Sequence, residues 1–220
     1  MSDLQGNALN LIQEAKSVAI IPSKVAGADS FCAAAGLYFM LLEKNKDVYF
    51  IYQGKVPDAA QNILDHTRIV SDIGQRELII KVDYSNTPAA QAHYATDRDV
   101  LEIRLGPVSK EFELSRVKAQ LTGVDFDLII VVGAQEVTDL GSVYEKMKED
   151  FSQVKVLNID NTRHNQNFGD ENIIDVNAQT LSTLIFSKAS EWDLTPGEKA
   201  AKALLTGMTY RNGNLGVDKA

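Results

Sequence analysis

The chain is poor in the residues that most often carry chemistry. Its 220 residues include one cysteine and three histidines. A lone Cys32 permits no internal disulfide and no thiolate metal site. Set in an apolar helical pattern, it reads as a small buried hydrophobe. No apolar run approaches the roughly 20 residues of a membrane-spanning helix. The first residues lack a basic stretch followed by an apolar core, so no secretory signal is read and a cytoplasmic location is the expectation. Phosphate-binding glycine loops are missing too: neither G-x-G-x-x-G nor G-x-x-x-x-G-K-[ST] occurs, and Gly54-Lys55 and Gly106-Pro107 have the wrong spacing. Positive charge is in the minority, 22 Lys and Arg against 30 Asp and Glu, for a net charge of −8. That balance argues against strong sequence-independent nucleic-acid binding, which needs a basic surface.

What is present is apolar material in short, regular portions. Hydrophobic residues make up 45% of the chain, enough for one sizeable core, and residues 1–220 are read as a single domain. Apolar runs alternate with amphipathic segments, the rhythm of an α/β fold with a mostly parallel, Rossmann-like sheet flanked by helices. Expected strands are Ser17–Pro22 (SVAIIP), Asp47–Tyr52, Asp127–Val132 (DLIIVV) and Lys155–Ile159. Expected helices cover Leu4–Ala15, Asp29–Glu43, Pro57–Asp65, Glu111–Leu121, Val143–Phe151 and Ala178–Trp192. Thr195-Pro196-Gly197-Glu198 has the form of a capping box opening a last helix to about Leu205.

Residues 76–106 have a different texture. Glu77–Asp83 is strand-like, and Leu101, Ile103 and Leu105 alternate with polar residues, the period of a half-exposed antiparallel strand. This segment is read as a β-hairpin or meander inserted into the parallel-sheet domain. Its exposed edge makes a homodimer through Gln91–Leu105 an expectation.

The most informative stretch is Asn158-Ile159-Asp160-Asn161-Thr162-Arg163-His164-Asn165-Gln166-Asn167-Phe168-Gly169, which follows the apolar run Val154–Leu157. It is a strand end leading into a loop, where parallel sheets bind ligands. The stretch resembles the signature of the DHH phosphoesterase superfamily, the RecJ-like proteins, in which Asp-His-His is followed by Asn and then Phe-Gly. Asp160, Asn165, Phe168 and Gly169 hold their places, whereas Asn161 and Thr162 stand where the family has its histidines. The resemblance implies a RecJ-like DHH domain, about Val18 to Gly213, without the second, glycine-rich substrate domain. It also implies four strand-end motifs that hold two Mn²⁺ or Mg²⁺ ions. After SVAIIP, Ser23 replaces a histidine and Gly27 an aspartate, while Asp29 is kept. Gly133 replaces the aspartate after DLIIVV, and Arg211 the aspartate of the last motif. Asp175 and Thr180-Leu181-Ser182-Thr183 match the motif between.

Of eight positions compared (Ser23, Gly27, Asp29, Gly133, Asp160, Asn161, Thr162, Arg211), only Asp29 and Asp160 retain the family's ligand. Hard divalent ions take carboxylate and imidazole ligands, and a fixed arginine repels them. Hence no catalytic residue and no metal cofactor are expected, with Asp29 and Asp160 as the remaining metal candidates. Asp29, Asp160, Asn161, Thr162, Arg163, His164 and Arg211 define a vestigial pocket. Asp29 is read as a helix N-terminal residue, and Asp160 as a cap on its own turn. Arg163 and Arg211 are read as neutralising the two carboxylates, or as holding a nucleotide or phosphate. Glu136 and Asp139 are read as caps. The first expectation for function is a catalytically inactive relative acting as a binding or scaffold protein, in oligomeric form. The alternatives are an active metal-dependent phosphoesterase on short oligonucleotides or nucleotide phosphates, and a non-hydrolysing nucleotide sensor.

Overall fold

A computed structural model describes residues 3–71, 78–85, 91–121 and 125–213. Contacts group the chain into two units, Met1–Ile73 with Asp125–Ala220, and Gly74–Val124. The expected start of the insert at Arg76-Glu77 and the chain end at Ala220 lie outside the described residues.

The first unit is built on a parallel sheet of six strands: β1 (Ser17–Pro22), β2 (Asp47–Ile51), β3 (Ile69–Val70), β8 (Leu128–Val132), β9 (Lys155–Asp160) and β10 (Glu171–Ile174). Their order is β10-β9-β8-β1-β2-β3. The expected α/β class with a parallel, helix-flanked sheet is the observed one. The central strands are buried on both faces, which is why they read as unbroken apolar runs. Val18 and Ile20, Leu128, Ile130 and Val132, and Leu157 and Ile159 alternate along their strands to build one core with the helices.

Those helices are α2 (Gly27–Glu43), α5 (Leu181–Ala189) and α6 (Glu198–Gly213), which pack on one another, with α2 against β1, β2 and β8. Glycine sets how closely they approach. A Cβ on Gly36 would lie 2.5 Å from Leu204 Cδ2, and one on Gly207 would meet Ser182 Oγ at 2.0 Å and Cys32 Cβ at 3.0 Å. Edge-on rings pack α2 against β2 and the residue after it, Phe31 against Phe50 at 4.9 Å and against Tyr52 at 5.1 Å between centroids. The remaining helices of this unit are α1 (Asp3–Glu14), α3 (Ser142–Lys146) and α4 (Lys148–Gln153).

Several helix expectations need correction. Pro57–Asp65 forms only a 3₁₀ turn, Asp58–Ala60, followed by irregular chain. Asp65 then caps a second 3₁₀ turn, His66–Arg68, by accepting from both the amide and the hydroxyl of Thr67. Val143–Phe151 splits at the buried Met147 into α3 and α4. The helix expected from Ala178 starts at Leu181, because Thr180 is extended and caps it through Thr183 N–H, and it gives way to a 3₁₀ turn at Ser190. The last helix begins at Glu198 rather than Pro196, with Gly197 C=O taking the Ala201 N–H, and runs on past Leu205. Thr206 and Thr209 sit in it by bonding back to Lys202 and Leu205 carbonyls.

The described residues of the second unit form two antiparallel ribbons. In one, β5 (Gln91–Asp97) pairs with β6 (Val100–Gly106), as the alternation predicts. In the other, β4 (Leu78–Val82) pairs with β7 (Val117–Leu121). The helix expected over Glu111–Leu121 is therefore a 3₁₀ turn at Leu114–Arg116 and a strand. Val117, Ala119 and Leu121 repeat every second residue, and they stand opposite Val82, Ile80 and Leu78.

Candidate functional site

From β1 the chain adds strands β2 and β3 on one side, and it later adds β9 and β10 beyond β8 on the other. The order therefore reverses between β1 and β8, the point where open parallel sheets form a ligand crevice beyond their carboxyl ends. The loops that leave β1, β8 and β9 begin there with Ser23, Gly133 and Asn161. A cavity of about 450 Å³ lies at this edge, lined by Val25, Ala26, Gly27, Ala28, Asp29, Asn161, Leu181 and Tyr210.

Asp29 sits in the first turn of α2, yet its carboxylate serves a different helix. Oδ2 accepts the Leu181 N–H at 2.7 Å, and Oδ1 accepts the Ser182 N–H at 3.1 Å and the Ser182 hydroxyl at 2.9 Å. These are unsatisfied amides at the start of α5, where the helix dipole favours negative charge. Asp29 is the first-turn acidic residue of α2 that the sequence suggests, and it also ties α2 to α5. Its charge also acts on Cys32, one turn along. Burial pushes the Cys32 thiol up to about 12, with Asp29 adding to the shift, so the cysteine is the inert hydrophobe the sequence suggests.

Asp160 is 1% exposed at the end of β9. Its Oδ2 accepts the Thr162 hydroxyl at 2.5 Å and Asn165 Nδ2 at 2.9 Å. The bonds come from side chains, not from the backbone amides of its own turn as expected. Asn165 extends the network: Nδ2 also reaches Ala134 C=O at 2.8 Å, and Oδ1 accepts Asn158 Nδ2 and the Asn167 N–H. Asn158 in turn donates to Asn172, whose side chain clasps both the N–H and the C=O of Gly169. The Asn-x-x-Phe-Gly spacing thus has a physical meaning, since Asn165 and Gly169 are both anchor points of a half-buried amide chain. Asn158 and Asn172, which sequence reasoning passed over, are its other members. A polar Asn inside an otherwise apolar strand is the signal that marks Asn158.

Gly133 closes the third side. Its φ is +75°, and a Cβ there would lie 2.6 Å from Leu181 Cδ1 and 2.9 Å from Ala26 Cβ. Any side chain at that strand end would enter space already filled by apolar groups. Ser23 is buried and accepts the Val25 N–H at 3.2 Å, shaping the loop. Glu136 and Asp139 form a capping box around the turn Val137–Leu140, as expected, and Glu136 also accepts Gln166 Nε2 at 2.8 Å from the β9 loop.

Of the seven residues assigned to the pocket by sequence, Asp29 and Asn161 line the cavity. Asn161 is fixed there by donating to Ala178 C=O at 3.0 Å. Asp160 and Thr162 belong to the amide network beside it. Arg163 and His164 stand exposed, outside the cavity lining. Arg211 falls in the last turn of α6, and its side chain lies outside the described residues. Leu181 and Tyr210 were not anticipated; Leu181 follows from its place at the start of α5. The donor set does not fit a pair of divalent ions: Asp29 already accepts three bonds, Asp160 accepts two on one oxygen, and their neighbours are Ser, Gly, Asn and Thr. Among the described residues, no group of three or more His, Cys, Asp or Glu side chains is arranged to hold a metal ion. None of the described helices is long and apolar enough to cross a membrane.

No protein-family model matches the sequence, and no curated protein matches it. Among solved structures, the chain is similar to an exopolyphosphatase-related protein from Bacteroides fragilis, with a TM-score of 0.61 and 14% sequence identity. The alignment covers 97% of this chain and 52% of that one, so the chain spans about half the length of its structural relative. The likeness extends to the fold.

Proposed function

We propose that this chain is a DHH-type, RecJ-like relative in which the metal site has become part of the scaffold. It acts as a binding or scaffold protein without hydrolysing phosphoesters. One observation carries the reading: both surviving acidic positions have taken structural work. Asp29 caps α5, and Asp160 anchors the Asn158–Asn165–Asn172 chain. The space beside Gly133 is filled by Leu181 and Ala26, which supports the same conclusion from a third strand end. The binding role rests on the cavity, whose 450 Å³ falls within the range of small-molecule sites, roughly 300–1,000 Å³. The family assignment rests on the ordered motifs together with the exopolyphosphatase-related neighbour.

The test is a hydrolysis assay on a linear dinucleotide and on a cyclic dinucleotide with excess Mn²⁺. The expected result is no turnover above the protein-free blank. Metal-dependent turnover that disappears in both Asp29→Ala and Asp160→Ala would establish the active phosphoesterase instead. Calorimetric titration of the same dinucleotides without metal then reads binding alone. Heat that saturates without hydrolysis is the outcome for a nucleotide sensor.

A further inference from the structure

We infer that the free edge of β6 pairs with the same strand of a second copy of this chain, antiparallel and centred on Ile103. This goes beyond the proposed function and rests on none of the cavity residues. The β5–β6 ribbon is amphipathic. Tyr94 faces Ile103, Ala92 faces Leu105 and Thr96 faces Leu101 on one side; His93 faces Arg104 and Ala95 faces Glu102 on the other. The apolar side is largely exposed, with Tyr94 82%, Leu101 60% and Ile103 47% exposed and Leu105 half-buried. A two-stranded ribbon in water is marginal alone, and further strands are what stabilise it.

The backbone fixes which groups the edge offers. Asp97 and Val100 are paired across the two-residue turn Arg98-Asp99, so they exchange both of their hydrogen bonds. Alternation then turns the amides and carbonyls of Val100, Glu102, Arg104 and Gly106 toward β5. Those of Leu101, Ile103 and Leu105 point outward, and the sheet has no third strand among the described residues to meet them. Unpaired edges of this kind are templates for another chain.

The sequence names the partner. Leu101-Glu102-Ile103-Arg104-Leu105 reads the same in both directions in chemical terms, except that its two charges are opposite. Antiparallel self-pairing about Ile103 sets Ile103 against Ile103 and Leu101 against Leu105, in the hydrogen-bonded positions. Glu102 then faces Arg104 of the other copy, and Arg104 faces its Glu102, in the non-bonded positions where side chains come closest. Within one chain Arg104 Nε already reaches Glu102 Oε1 at 2.7 Å, so the two copies assemble one four-charge network. Centring β5 on Tyr94 in the same way would set His93 against Ala95 and Gln91 against Asp97, with no opposite charges matched.

The mass of the full chain in solution, measured by sedimentation against concentration, is expected to be that of a dimer. Arg104→Glu, which sets like charges opposite each other, is expected to weaken the dimer by on the order of tenfold or more. The double exchange Glu102→Arg with Arg104→Glu is expected to restore it. Under mild oxidation Ile103→Cys is expected to cross-link two copies, since paired Cα atoms about 5.5 Å apart suit a disulfide. Tyr94→Cys is expected to stay uncross-linked. A monomer at all concentrations overturns the proposal. So does a dimer that cross-links through Tyr94→Cys, or one that is indifferent to both charge variants.

Discussion

Asp29 shows how one residue type suits two kinds of work. A carboxylate beside a strand end is what a metal site uses, and it is also what an uncapped helix start needs. The Leu181 and Ser182 amides take both oxygens of Asp29, across 152 and 153 residues of chain. Losing such a cap costs about 0.5–2 kcal/mol. Asp29→Ala is therefore expected to lower unfolding stability by about 1–2 kcal/mol in urea melts. Asp160→Ala is expected to cost a similar or larger amount, because it strips a buried partner from Thr162 and Asn165. The melts also separate the structural role from a metal role. With millimolar Mn²⁺ present, wild-type and variant curves are expected to stay where they were. A wild-type melt that rises with Mn²⁺ while Asp29→Ala does not would return the residue to metal binding. The sequence identified both aspartates but not their partners, because the amides that bond Asp29 lie in a helix whose first turn is defined only by the fold.

At the scale of elements, strand ends are where sequence and structure meet most closely. Asp127 precedes β8 and accepts the amides of Ser17 and Lys16, pinning the starts of β1 and β8 together. Those backbone bonds, Ser17 first and then Lys16, hold its carboxyl below the ordinary carboxylate value. A depressed carboxyl contributes stability that is complete above the unfolded pKa, about 3.9, and is lost as pH falls through the folded value. Urea midpoints for the chain should thus decline below about pH 4, and more shallowly in Asp127→Asn. Equal acid slopes for the two proteins would count against the tie. Gly133 gives the complementary case. Gly133→Asp supplies the carboxylate a metal site would want, but at φ +75° and against Leu181 and Ala26. Its expected effect is a loss of about 1–3 kcal/mol in urea melts, with no stabilisation by Mn²⁺. The parallel strands were legible because burial on both faces leaves continuous apolar runs such as Leu128–Val132. The segments Pro57–Asp65 and Glu111–Leu121 were not. In the first, the helical start stops at Ala60 and Asp65 caps a separate 3₁₀ turn at His66–Arg68; in the second, the register against Leu78, Ile80 and Val82 overrides local helix signals.

For the whole molecule, the two units differ in what protects their backbone. In the first, β1, β8 and β9 are central strands between buried faces, and their amides open only with the core. In the second, each ribbon has two strands, and β5 is exposed along its whole length. Alternating polarity made the β5–β6 hairpin readable in the sequence. The amide chain joining Asn158, Asn165 and Asn172 was not readable, because it is assembled from a strand, a loop and a neighbouring strand. Hydrogen exchange followed residue by residue reports the difference directly. Amides of Ile20, Ile130 and Leu157 are expected to exchange at least a thousandfold more slowly than those of β5. Within β6 the pattern is expected to depend on concentration. In dilute protein Glu102 and Arg104, which bond toward β5, are the protected amides, while Leu101, Ile103 and Leu105 exchange freely. As concentration rises, those three are expected to slow and their neighbours to change little, because only outward-facing amides gain a partner when β6 meets its copy. Uniform slowing of both sets would instead mean that the ribbon is covered on its face, with its edge left open.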